Sequence, residues 1–468
     1  YAKRGAIFNE GSMSVGKKST GIYLVEDDRS PATAVAGARA VNESTGVITI
    51  GEDSTGIFYK VDPDNADGKG TNTTVGGGVS NDGKIVSSAN NVIAISFDNP
   101  YASKTVDNSQ TGVIDLQGQN STGIFATGAG TYTAANNGKI KLVSSSDIDK
   151  PNMGMYTDKD TITLKNNGAI EGGDKTVGIY GHNVNLGTNS VTKIGSGGTG
   201  VYSKGGNITI SGGTLSIGEN GAEGSNDAVG VYYVGAGGTI TNNAANINIG
   251  NSAYGFVVQN ENGAGVTLTT NTPNVTLKND SVYAYSNNRA GTVINNTVLN
   301  SAGDGNYGIY GAGTVTNNAQ INFGTGIGNV GMYSILGGTA TNNATISVGE
   351  SDATNSIYSI GMAAGFIGDK ATPAYTGNII NNGTINVSGS ATEAKNGNIG
   401  MVAHKQAKAI NNKNITFANG TKYGTGLLAK GAGAKIENNG ANAKITGSGL
   451  ERTIGMSTLK DTTGSNSG

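Results

Sequence analysis

Cysteine is absent from the 468 residues, which removes disulfides, zinc-thiolate sites and thiol nucleophiles from consideration. Histidine is almost absent: His182 and His404 are the two present, neither has a carboxylate constellation near it in sequence, and both read as surface residues. Charged residues make up 14%, and 31 Lys and Arg against 33 Asp and Glu leave no basic stripe of the kind that nucleic acid or an anionic membrane surface requires. No apolar run approaches the length of a membrane span, and the N-terminus lacks the charged-then-apolar pattern of a signal peptide. Proline is also scarce. With 78 Gly and much Asn, Thr and Ser the composition resembles a disordered low-complexity chain, but only six prolines are present and apolar residues return at a fixed phase, which disorder does not explain.

What the sequence does have is a repeat. Gly308-Ile309-Tyr310 is followed by a Gly/Ala turn, then Thr314-Val315-Thr316-Asn317-Asn318, then Gln320-Ile321-Asn322-Phe323-Gly324. Each piece is too short for a helix, alternates apolar with polar residues and is bounded by Gly or Asn, so each reads as a short strand. Copies of the Gly-apolar-aromatic piece begin at Gly21, Gly56, Gly123, Gly154, Gly178, Gly200, Gly230, Gly255, Gly308, Gly331, Gly361, Gly400, Gly426 and Gly455, with degenerate copies at Val92-Ile93 and Val282-Tyr283. That predicts roughly 16 turns with a period of about 29 residues. Three short strands per turn, each lying beside its own copy, predict an all-β fold: a parallel β-helix solenoid over 1–468, taken as one segment of a longer rod. A propeller would need longer repeats.

Alternation assigns the inside. Ile247 and Ile249, Ile321 and Phe323, Ile346 and Val348, Ile385 and Val387, and Ile415 and Phe417 share one face of the third strand. The residue after each first-strand Gly, from Ile22 to Met456, is apolar and is also expected inside. Asn pairs such as Asn317-Asn318 and Asn342-Asn343 mark the corner after the second strand, where stacked carboxamides can form a ladder.

Extra residues interrupt the turns near 26–39, 62–78, 98–106 and 365–375 after the first strand. Others fall near 144–151, 219–228 and 388–398 after the third. Insertions at one phase of a solenoid project from one edge, where function is carried. Candidate ligand-binding residues on these edges are Asp27, Asp28 and Arg29, and Asp62, Asp64 and Asp67. The second group has the carboxylate density of a calcium loop, but Ala66 falls where an EF-hand needs an oxygen and the terminal Glu is missing, so it reads as a solvated loop. Tyr156, Tyr180, Tyr202 and Tyr232 belong to an aromatic row at the third position of the first strand, which either faces out as a platform for sugars or proteins or is partly buried and stacks on its own copies. Carboxylates concentrate in the corner insertions and are nearly absent from strand positions, so no enzyme activity, metal or cofactor is expected.

The recurring Ser/Thr-Thr-Gly-Ile-Tyr/Phe of Ser19 to Tyr23, Ser54 to Phe58 and Ser121 to Phe125, alternating with Asn-Asn-Gly-x-Ile, resembles passenger domains of type V autotransporter adhesins, particularly the large outer-membrane adhesins of fusobacteria. The resemblance covers essentially the whole chain. It implies an exported cell-surface segment, anchored in the outer membrane only through a C-terminal barrel not present here, that binds host glycans, host receptors or other bacteria. A passive stalk holding a distal tip and a β-helix polysaccharide lyase or hydrolase are the competing expectations.

Overall fold

A computed structural model describes residues 2–3, 5–27, 38–62, 77–100, 104–221, 227–365, 376–388, 397–459 and 462–467. Two compact units divide the chain, Tyr1–Tyr232 and Tyr233–Gly468. Each is a parallel β-helix built from three sheets, and the chain contains about 16 turns.

One turn of the first unit shows the plan. Thr122–Thr127, Thr133–Asn136 and Lys139–Leu142 form its three strands, and the next first strand, Met153–Tyr156, pairs in parallel with Thr122–Thr127 in the register Ile124↔Met155. Short strands suffice because each is bonded on both sides by its own copy.

The core is a set of apolar stacks. In the first unit Ile22, Ile57, Ile95, Ile124, Met155, Ile179 and Val201 stand in register along the first sheet and are buried. Ile48, Ile85, Ile114, Ile140 and Ile170 do the same along the third. Each such side chain contributes roughly 1.5–3 kcal/mol through burial. The third-strand residues assigned inside in the second unit, Ile247 to Phe417, are all buried. Met456 is half-buried, on the strand Ile454–Thr458, which pairs with Thr425–Lys430.

At the corner after the second strand, buried carboxamides bond from turn to turn. The first unit carries Asn9, Asn42, Asn81, Asn108, Asn136 and Asn166, each Nδ2 donating to the next Oδ1 at 2.7–2.8 Å. The second carries Asn295, Asn317, Asn342, Asn381, Asn411 and Asn438 at 2.8–2.9 Å, and Asn438 donates on to the exposed Asn466 at 2.9 Å. In the second unit the second Asn of the pairs builds an outer ladder beside it, for example Asn318 to Asn296 and Asn343 to Asn318, both 3.0 Å.

The first-strand glycines are required by close approach. A Cβ on Gly331 would lie 2.6 Å from the carbonyl oxygen of Gly361 and 2.8 Å from Cγ2 of Ile346, and that carbonyl is fixed in the sheet. Gly331→Ala is therefore expected to cost about 1–3 kcal/mol through overpacking. Gly324→Ala, whose Cβ would meet nothing nearer than 3.9 Å, should change stability by less than about 0.5 kcal/mol. Denaturant midpoints check the pair, and equal shifts would refute the close-approach argument.

Candidate binding faces of the first unit

Two outward faces of the first unit gather the side chains with the most chemistry. On the first sheet, Phe125, Tyr156, Tyr180, Tyr202 and Tyr232 occupy successive first strands, with Phe125↔Tyr156, Tyr156↔Tyr180 and Tyr180↔Tyr202 in register. Strand spacing brings equivalent rings close enough to touch. Their centroids are 5.5, 5.1, 4.9 and 5.3 Å apart, with interplanar angles of 25°, 32°, 0° and 41°. All five rings are half-buried. Within the row the rings turn their faces toward one another, so its inner members offer solvent mainly rims and hydroxyls rather than a platform for stacking a sugar. Lys204 Nζ lies 5.4 Å from the Tyr180 centroid, a cation–π distance. Burial raises the hydroxyl pKa of Tyr156, Tyr202 and Tyr232. A shorter pair, Tyr23 and Phe58, stacks at 5.1 Å and is separated from the row by Ser96, which pairs with both Phe58 and Phe125.

The third sheet carries the second face. Its outward row is Asp115, Lys141, Glu171 and Lys193, in register from strand to strand, with Ser216 next. Lys139 Nζ lies 2.8 Å from Glu171 Oε1, and Gln117 donates to Asp115 Oδ1. Beside the row the chain turns on Gly173, Gly195 and Gly218. A Cβ on Gly173 would fall 2.4 Å from Ser144 Oγ, and one on Gly195 2.4 Å from Asp174 Oδ1, so no side chain fills this strip. What results is an open trough of about 750 Å³ lined by Gln117, Lys141, Glu171, Asp174, Lys193 and Glu219 among others. Its rim is fixed as well as charged, since Asp174 Oδ1 accepts from the Ser196 N–H at 2.8 Å.

The sequence profile of the BigA third pectate lyase-like domain matches residues 1–245 and 324–412, well over half of the chain. The chain belongs to this family. No curated protein and no solved structure matches it.

In this BigA-family domain the residues singled out from sequence fall in different places. Tyr156, Tyr180, Tyr202 and Tyr232 are brought together in one row. Asp27 and Asp62 end neighbouring first strands and pair in register. Asp28, Arg29, Asp64 and Asp67 lie outside the described residues, as do most of the insertions after the first strand and the centres of those at 219–228 and 388–398. The segment 144–151 is described; in it Asp147 Oδ1 accepts from the Asp149 N–H at 2.9 Å. No group of three His, Asp or Glu suited to a metal occurs among the described residues.

One expectation is corrected. His404 is not a surface residue: it is 6% exposed, because it ends the strand Ile399–His404 and pairs with Lys430 at a packed corner. Its basic sequence neighbours gave the wrong signal. His182 is half-buried.

Sequence reasoning also missed several features. The trough went unnoticed because its charges are spread one per turn, which no local motif shows. In the second unit, the hairpin closed by Asp352 and Ile357 exposes Ile357 and Tyr358. The outer side of that unit's first sheet is apolar: Val330, Tyr333, Ile360, Ala363, Ile399 and Val402 form one buried cluster there. The first residue of these strands is Val or Ile, but the first unit places Ile93, Met153 and Val177 at the same position beside Thr55, Thr122 and Thr199, so the sequence carried no signal that singled out this layer.

Proposed function

We propose that the chain is an exported segment of a bacterial cell-surface adhesin, carried at the outer membrane by a C-terminal barrel of a longer protein, and that it attaches the cell to host glycans, host receptors or other bacteria. The observation that supports this reading most is the trough over the third sheet of the first unit. It presents charged groups of both signs on a scaffold whose strands, core stacks and carboxamide ladder are fixed, and a preorganised polar surface loses little entropy when it binds. The reading assigns the trough to holding a ligand rather than cleaving it, and it invokes no cofactor. Glu171 is tied to Lys139 and flanked in register by Lys141 and Lys193, an arrangement for charge recognition.

The test is binding of the purified chain to a glycan array and to intact host and bacterial cells. Specific, competable binding that falls about tenfold or more in the triple variant Lys141→Ala, Glu171→Ala, Lys193→Ala is the expected result, equivalent to about 1.4 kcal/mol. Silence from a folded sample on every surface would instead make the chain a stalk. Recovery of a shortened glycan would make it an enzyme.

A further inference from the structure

The outward row Asp115, Lys141, Glu171, Lys193 alternates in sign, one residue per turn, and is bordered in register by uncharged Val86 and Ser216. Neighbouring members are about 4.8 Å apart, so the row spans roughly 15 Å. Lys193 is exposed and the other three are half-buried, so all four reach solvent.

An alternating row with an even number of members has a symmetry property. Laid parallel and in step against a copy of itself, it opposes like charges. Turned through 180° about an axis between Lys141 and Glu171, it sets Asp115 opposite Lys193 and Lys141 opposite Glu171, twice each. Every charge of the row then meets its opposite, with Glu171 also held by Lys139 of its own chain, and the operation is the two-fold rotation that relates the subunits of an isologous dimer. The adjoining Asp174 and Glu219 in the trough supply further acceptors for the lysines of the opposite copy.

We infer that this face of the first unit is a self-recognition surface whose partner is a second copy of the same chain, docked antiparallel. The inference rests on the adhesive reading of the third-sheet face and narrows its partner to the same protein on a neighbouring cell. Exposed ion pairs are individually weak and screened beyond about 8–10 Å at physiological salt, so one pair of molecules associates weakly. Many copies on two apposed surfaces convert that weak contact into firm adhesion through effective concentration.

Beads coated with the purified chain test this, because they reproduce the multivalency. Wild-type beads should cluster at low salt and disperse in high salt. Beads carrying Lys141→Glu with Lys193→Glu have an all-negative row, and beads carrying Asp115→Lys with Glu171→Lys an all-positive one. Each kind alone should stay dispersed, with clustering reduced at least tenfold, and the two kinds mixed should cluster with each other. The quadruple variant Asp115→Lys, Lys141→Glu, Glu171→Lys, Lys193→Glu restores an alternating row and should cluster like wild type. Far-ultraviolet circular dichroism confirms that each variant is folded. Wild-type beads that stay dispersed at every salt concentration overturn the inference, as does clustering that survives in the all-negative row or fails to return in the mixture. Glycan or cell binding by a chain whose beads never cluster would sink self-recognition while leaving the adhesive reading standing; absence of both would remove both.

Discussion

Asn342→Ala is expected to lower the local stability of the second unit by about 3 kcal/mol, the sum of several lost buried hydrogen bonds and the groups they leave unpaired. The Asn342 side chain is fully buried and makes four bonds. Its Oδ1 accepts from Asn317 Nδ2 at 2.9 Å and from the Ala344 N–H at 3.2 Å, and its Nδ2 donates to Asn381 Oδ1 at 2.9 Å and to the Ala344 carbonyl at 2.8 Å. Alanine strips one partner from each neighbouring rung and two from the backbone corner between them. Because a solenoid's stability is a sum over turns and their interfaces, the loss should concentrate there. Amide exchange checks this: at the corners around Asn317, Asn342 and Asn381 it should speed up by roughly a hundredfold, while the first unit is unchanged. A uniform change across both units, or none, would show that the ladder does not set local stability.

The ladder also shows how far the sequence could be read. Asn pairs such as Asn317-Asn318 marked the corner correctly, because Asn tolerates the turn and can both give and accept a hydrogen bond. The pair was the wrong unit to search for. Only its first member is buried in the inner ladder, so Asn42, Asn81 and Asn108 belong to it although Glu43, Asp82 and Ser109 follow them. The ladder's interruptions were illegible for a related reason. Leu186 and Ile210 replace Asn in two successive turns, and there Asn166 Nδ2 turns instead to Thr192 Oγ1 at 3.3 Å, a contact made by a residue 26 positions away.

The strands and their inward face were legible because each depends on residues two to four apart, and the period because the same local motif recurs along the chain. The charged row was not, since Asp115, Lys141, Glu171 and Lys193 are separated by 22 to 30 residues and become neighbours only when insertions of unequal length are closed into turns. The same applies to the aromatic row. Its existence could be read from the position after Ile124 or Ile179, but its half-buried state follows from ring-to-ring distances near 5 Å, which only the stacked structure shows.

Tyr283→Ala is expected to cost about 3–5 kcal/mol, the range for deleting a large buried aromatic, and Tyr283→Phe about 1–2 kcal/mol. Tyr283 stands where the adjacent first strands have Gly255 and Gly308, yet it is fully buried, and its ring meets Phe256 edge-on at 5.6 Å. Its turn lies next to a break in the carboxamide ladder, where Thr270 takes the Asn position between Asn242 and Asn295. The tyrosine hydroxyl reaches that place, donating to Thr297 Oγ1 at 3.1 Å and lying within hydrogen-bonding reach of Thr270, Asn242 and Thr272. Phenylalanine keeps the packing and leaves those groups one bond short. Burial pushes the hydroxyl up to about 12, so the folded state holds its proton over a range in which the unfolded chain, titrating near 10, gives it up. The resulting stability is intact below pH about 10 and is lost as pH rises from about 10 to 12, by up to roughly 2.7 kcal/mol. Tyr283→Phe should therefore be less stable than wild type at neutral pH, with a shallower alkaline decline, so that the two stability curves converge or cross near pH 12. Chemical denaturation from pH 8 to 12 measures both curves, and parallel curves would show that the Tyr283 hydroxyl is not the group held neutral.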